Sequence, residues 1–444
     1  MPPTPPTPPD RGEPRIRDRG DACPGALRLH TADDGKLARL RLPAGLLTSR
    51  QLSISADAAE ALGDGALTIT SRGNAELRGL GEGCGAELAE LLREAGLLPS
   101  DTHERVRNVV ASPLAGLDGL GCSDVQLWAR ELDALLCANA WAAGLSGRFL
   151  FALDDGRGDV AGLGADVTLL AEPEGAAVVR VGDRAYRVRA ADAPRAALAA
   201  AEAFLVAAAA AGTGAWRVRE LPAGQDMAVG TYLERAGVTF GAGPAFEDEH
   251  TGPLDGTGVL RTPPVGRTGS WTGPRPGVVE GPNGWALSVA APLGRLTVAQ
   301  LRALLPAPGG HVRLTPWRGV VLPGFGSRDA AEARLRQLDD AGFITGTGSP
   351  WYGVGACTGR PGCAKSLADV RADATPGDGG GLPVYWSGCE RRCGHPHGEY
   401  VDVMATPDGT YRVTAHGVDV PTDQGLAGAV AAARTTPSTS TPTR

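Results

Sequence analysis

Residues 36 to 98 carry a hydrophobic pattern that changes period along its length. Apolar and polar positions alternate through "KLARLRL" from Lys36, a Pro-x-Gly turn follows, and "LT" opens a stretch with apolar residues every three or four positions. Alternation predicts a strand with one buried face, and the wider spacing predicts an amphipathic helix. A second strand ends at Arg72-Gly73, a third follows, and an amphipathic helix closes on Ala95-Gly96. Residues 283 to 345 repeat this order, with Arg318-Gly319 and Ala341-Gly342 each displaced by 246 residues from their counterparts. Chance similarity drifts in spacing, so the constant offset indicates duplication.

The segments after each copy also correspond. The first continues with "ASPLAGLDGLGCSD" from Ala111, an apolar helix, and "GRFLFALDDG" from Gly147, a strand running into an Asp-Gly turn. The second continues with "SPWYGVGACTGRPGC" from Ser349, the loop "SGCERRCGHP", and "EYVDVMATPDGTY" from Glu399, again a strand ending at Asp-Gly. The expected class is α+β, two ferredoxin-like half-modules each followed by a larger α/β module, with pseudo-two-fold symmetry. The expected division is a disordered Pro-rich arm over 1–20, ferredoxin-like modules over 23–98 and 216–347, the second including a linker, α/β modules over 99–215 and 348–434, and a disordered tail over 435–444. A cleft is expected where the halves meet, a common place for a ligand.

Composition narrows the partners. The formal net charge of -7 argues against nucleic-acid binding, which needs a surplus of cations facing phosphates. Lysine occurs only at Lys36 and Lys365, so any bound anion meets guanidinium forks, which suit carboxylates. The first twenty residues have no apolar core of a signal peptide. The Ala-rich run from Arg195 carries Glu202 and reads as a packed helix instead of a membrane span. A reducing cytoplasm is expected, where clustered cysteines more often mean metal than disulfide.

Four of the eight cysteines are clustered, Cys357-x5-Cys363 and Cys389-x3-Cys393, among Gly, Pro, Ser and Arg. Cys23, Cys84, Cys122 and Cys137 are scattered and read as buried thiols. Packing alone explains the clustered four poorly. A structural zinc would use C-x2-C to C-x4-C turns, which admits the second pair but not the first. A [4Fe–4S] cluster is wider and needs four thiolates on longer loops, with bends that Gly359, Gly362, Gly388 and Gly394 can supply. Zinc and iron–sulfur both stay open on spacing. His395 reads as a cluster neighbour or as a loop residue capped by Pro396; the remaining histidines form no triad.

"ACTGRPGC" with "SGCERRCG", after a duplicated ferredoxin-like module, resembles the sulfite and nitrite reductase superfamily over Cys23 to Ala432. The resemblance implies a duplicated sulfite/nitrite-reductase-like architecture, with Cys357, Cys363, Cys389 and Cys393 as ligands of a [4Fe–4S] cluster beside a tetrapyrrole. The haem-bearing reductases carry C-P-N-x-C in the last loop, whereas here Glu390, Arg391 and Arg392 stand between the cysteines and Gly394-His395-Pro396 follow. That loop, "TSRGNAELRGL" from Thr70 and "RNVVASPLAGLD" from Arg107 are similar to the precorrin-3B synthase branch. At "LSGRFLF" the sulfite-reducing relatives have Lys-Phe-Lys, against Arg148-Phe149-Leu150 here. This branch implies an oxidoreductase of monooxygenase type, which hydroxylates precorrin-3A at C20 with O2, closes a γ-lactone in aerobic cobalamin biosynthesis, and draws on an electron donor. It also implies a possible mononuclear non-haem iron, whose ligands the sequence does not indicate. Arg72, Arg78, Arg107, Arg148 and Arg318 are candidate grips for the tetrapyrrole carboxylates. The alternative is a sulfite or nitrite reductase with siroheme.

Overall fold

The computed structural model describes residues 21, 23–244, 273–377, 381–396, 398–423 and 425–435. The arm over 1–20, part of the linker and nearly all of the tail lie outside the described residues.

The first module runs β1 (His30–Ala32), β2 (Gly35–Leu40), β3 (Leu46–Thr48), α1 (Ser49–Leu62), β4 (Ala66–Ile69), β5 (Ala75–Leu80) and α2 (Gly85–Glu94). The next contains β6 (Val109–Ala111), α3 (Val125–Ala138), β7 (Phe151–Asp154), β8 (Val167–Glu172), β9 (Ala176–Val181), β10 (Arg184–Arg189), α4 (Ala193–Ala211), α5 (Val229–Arg235) and β11 (Phe240–Ala242). The second copy gives β12 (Gly277–Gly281), β13 (Gly284–Ala290), β14 (Arg295–Thr297), α6 (Val298–Ala303), β15 (His311–Leu314), β16 (Gly319–Phe325) and α7 (Arg328–Asp340). It ends with β17 (Val354–Ala356), α8 (Val370–Asp373), β18 (Val384–Ser387), β19 (Val401–Ala405), β20 (Tyr411–Ala415), β21 (Val418–Val420) and α9 (Leu426–Thr435).

The duplication is visible in backbone detail. Thr48 and Thr297 each cap a helix through a reciprocal box with a glutamine three residues on, Gln51 and Gln300. Before each cap, the turn places a non-glycine residue in the left-handed region, Ala44 at φ 56° and Leu293 at φ 54°. Each ferredoxin-like sheet borrows its last strand: β14 of the second copy pairs with β4, and β3 of the first pairs with β15. One hydrophobic core runs through both modules, joining Leu40, Leu52 and Leu77 to Leu287, Leu301 and Leu322.

The two α/β sheets share a topology, β6-β7-β8-β9-β10 and β17-β18-β19-β20-β21, with the first three strands parallel and the rest antiparallel. This shifts one sequence correspondence. The strand after Gly147 is β7, whose equivalent by order is β18; the strand after Glu399 is β19, the equivalent of β8. Short buried strands ending near Asp look alike, and neighbour order is set by tertiary packing. The Ala-rich α4 lies in the core with α3, β8 and β9, and although long and apolar enough to cross a membrane it is mostly buried.

Candidate functional site between the two halves

Strand alternation builds one wall of the site. On β2 and β5, Ala38, Leu40, Ala75 and Leu77 point into the core, so Arg39, Glu76 and Arg78 take the opposite face. Arg39 pairs with Glu76 directly across the strands. Arg78 forks onto Asp34 with two 2.9 Å bonds and donates to the Gly362 carbonyl at 2.6 Å, reaching the cysteine loops of the other half. The second ferredoxin-like sheet reciprocates, as Arg313 donates to the carbonyls of Pro113 and Ala115 in the first α/β module.

The thiols stand opposite. Cys357 leaves the end of β17, its N–H donates to Trp386 O at 2.9 Å, and its sulfur receives the Gly388 N–H at 3.3 Å. Leu367 N–H to Gly388 O, 2.8 Å, ties the two loops together. Glycine is required at 388 because a Cβ there would run into Ser366 Oγ. The second loop hangs from β18 and β19: Tyr385 O–H donates to Cys393 O at 2.6 Å, and Arg392 pairs with Asp402 at 2.6 Å. Burial pushes the Cys393 thiol up and Arg391 opposes this, while Cys389, Cys357 and Cys363 are all near enough to add to the rise. A zinc ion at about 2.3 Å from each thiolate would hold the sulfurs about 3.8 Å apart. No three of these sulfurs lie mutually within 4.8 Å among the described residues.

From Arg72 to the cysteine loops runs a row of guanidiniums lying within one another's fields. Arg72 lies in the field of Arg217, Arg41 and Arg39, Glu76 in that of Arg39, Arg78 and Arg371, and Arg371 in that of Arg295, Arg318 and Arg78. Arg39, Arg78 and Arg217 have carboxylate partners in Glu76, Asp34 and Asp166. Arg41, Arg72, Arg318 and Arg371 form no ion pair among the described residues. Arg41 donates to Arg105 O, Gly147 O and the Cys23 sulfur, and Arg72 to Arg148 O. Arg371 meets Cys357 O, and Arg318 meets Tyr385 Oη and Gly394 O. Burial, reinforced by neighbouring cations, pulls Arg41 and Arg72 each down to about 10. Guanidiniums wholly or partly buried without counter-ions make this a place for anions.

The remaining sequence candidates separate. Arg148 stacks over Trp216 at 4.8 Å. Arg107 lies away from the row, buried against Asp133 and the Leu97 carbonyl. His395 is exposed, its Nδ1 on Pro396 O and its ring stacked on Tyr400, as a loop residue. Missed from sequence were Arg39, Arg41, Arg217 and Arg371; the i, i+2 spacing of Arg39 and Arg41 across the end of a strand was a usable signal.

Arg72, Arg217 and Arg219 surround a cavity of about 210 Å³ whose apolar lining is Val110, Leu150 and Leu163. A larger hollow of about 850 Å³ lies along β19 and β20, touching the cysteine loop only through Arg392. Among the described residues, the carboxylates close enough to hold one ion are Asp154, Asp155 and Asp159. Asp154 already accepts four backbone N–H groups, and Asp155 holds Arg157, so hydrogen bonds within the loop account for this group.

Residues 30–95 match the family described as "Nitrite/Sulfite reductase ferredoxin-like half domain". Over 409 residues the chain is 25% identical to the precorrin-3B synthase of a Sinorhizobium species, covering 88% of this chain and 82% of that one. It is 36% identical over 127 residues to the ferredoxin–nitrite reductase of Synechococcus elongatus, a match that spans 27% of this chain and only a quarter (25%) of the reductase. In three dimensions it resembles the NirA protein of Mycobacterium tuberculosis, with a TM-score of 0.62 at 18% identity, over 86% of this chain and 74% of that one.

Proposed function

We propose that this chain is a member of the nitrite/sulfite reductase superfamily and that within it the chain acts on a tetrapyrrole as substrate, as a precorrin-3B synthase. The observation that carries this reading is the row of guanidiniums lacking carboxylate partners, lying beside the four-cysteine loops where the two halves touch. A flat macrocycle fringed with acetate and propionate arms meets what those groups lack. Arg72 and the cations around it would bind and orient the arms, so that one meso carbon faces the oxidant. Arg148 stands beside Arg72, whose guanidinium donates to its carbonyl.

Cys357, Cys363, Cys389 and Cys393 would hold a [4Fe–4S] cluster, which when bound supplies single electrons for chemistry with O2. The Gly388 N–H on the Cys357 sulfur is the kind of hydrogen bond that tunes such a centre. Leu150 favours this reading over a siroheme reductase. It is buried and lines the cavity with Arg72, where sulfite-reducing relatives have a lysine, and a hydrocarbon cannot deliver the protons that reduction of sulfite consumes. The likeness to the precorrin-3B synthase also covers 88% of the chain, whereas the Synechococcus nitrite reductase match covers 27%.

Anaerobic purification with iron, sulfide, zinc and absorption analysis tests the proposal. The expected result is iron and sulfide without a haem band, lost in Cys389→Ser and retained in Cys122→Ser, with precorrin-3A bound and turned over with O2. A strong haem band with six-electron turnover of sulfite or nitrite would replace this reading by the reductase one. Zinc in place of iron would remove both.

A further inference from the structure

We infer that Arg318 and Tyr385 form a positioning pair for the Cys389–Cys393 loop, and that Arg318 thereby sets the reduction potential of the centre those thiols hold. This rests on the cluster reading above. Arg318 sits at φ 61°, a left-handed backbone that a non-glycine residue adopts only when its surroundings enforce it. Here the enforcement is a tight turn: Arg318 N–H donates to Thr315 O at 3.0 Å, and Gly319 N–H to Thr315 Oγ1 at 3.0 Å. The turn sends the side chain out of the ferredoxin-like module and across to the thiol loops.

There the guanidinium donates to the Tyr385 hydroxyl at 3.1 Å and to the Gly394 carbonyl at 2.9 Å, with its carbon 5.1 Å from the centre of the Tyr385 ring. Tyr385 is fully buried and passes the chain of donors on, its O–H reaching Cys393 O at 2.6 Å. The carbonyls of residues 393 and 394 are therefore both pinned, which fixes how the fourth thiol leaves an otherwise exposed loop. Two glycines keep the passage open. A Cβ at Gly394 would stand 2.8 Å from Arg318 Nη2, and one at Gly355 would stand 2.9 Å from Nη1 and 3.0 Å from the tyrosine ring.

Charge separates Arg318 from its neighbour Arg392. Arg392 is neutralised by Asp402, whereas Arg318 has no carboxylate in ion-pair range among the described residues. An uncompensated cation beside a centre that accepts electrons stabilises the reduced state and raises the potential.

The test uses the full chain and equilibrium redox titration with mediators, after iron and sulfide content has been measured. Arg318→Gln should keep the metal complement and titrate at a lower potential, while Arg318→Lys, which retains the charge, should stay nearer the wild type. Tyr385→Phe should keep its iron but change the electron paramagnetic resonance line shape of the reduced centre. Wild-type potential and spectrum in an iron-loaded Arg318→Gln would overturn the inference while leaving the cluster standing. If that variant does not retain iron, Tyr385→Phe decides, since it removes a single oxygen atom; an unaltered spectrum and potential there sinks the pair. A wild-type chain holding zinc or no metal would instead fell the cluster reading, and this inference with it.

Discussion

Asp159 shows what a single misplaced charge costs. Burial and the adjacent Asp154 carboxylate push its carboxyl well above the ordinary range, and the bond from Ser112 Oγ at 2.6 Å only partly opposes this. The folded chain therefore holds that proton more tightly than the unfolded chain. Stability falls as pH rises from about 4, the ordinary carboxylate value, through the folded one, and the penalty is complete above it. Asp159→Asn keeps an acceptor for Ser112 and discards the charge. It should stabilise by about 1 kcal/mol at pH 7 to 8, with the gain vanishing near pH 4, as read from urea midpoints across that range. Legibility at this scale follows spacing. The four cysteines stood out because loops of Gly and Pro around thiols have no packing explanation. Arg41 and Arg371 did not, because among 43 cationic residues nothing local tells a solvated arginine from one held by backbone carbonyls.

At the scale of elements, the Thr-x-x-Gln boxes recur in both copies but open helices of different length, α1 of 14 residues and α6 of 6. Thr48→Ala and Thr297→Ala should each cost about 1 kcal/mol, since each leaves one first-turn N–H, that of Gln51 or Gln300, without its acceptor. Denaturant unfolding checks this, and Ser at either position should restore most of the loss. The repeated order of strands, turns and helices was readable from period alone, because each strand has one core face and each helix one apolar stripe. Strand partners were not. "EYVDVM" and "GRFLFALDD" both read as a buried strand, yet they occupy different places in their sheets, and nothing within either segment names its neighbours. The same silence hid the exchange of β3 and β14, three-residue strands whose pairing is decided across the molecule.

For the whole molecule, that exchange makes the halves mutually dependent. With β14 gone, β4 becomes an exposed edge, and with β3 gone β15 does too, while the shared core from Leu40 to Leu322 is cut open. A chain opened within 245–272 should give halves that aggregate when made singly and copurify when made together; two separately soluble, folded halves would refute the interdependence. The shared topology also places the Asp154–Asp159 loop, between β7 and β8, where the other half has its second cysteine loop, between β18 and β19. Consider such a module before it was doubled within one polypeptide. Its sheet would have to be finished by an identical molecule, so it would exist as a symmetric pair with every loop present twice. Joining the pair by a covalent tether removes the obligation of sameness, and one loop position is then free to hold sulfur while its twin holds carboxylate.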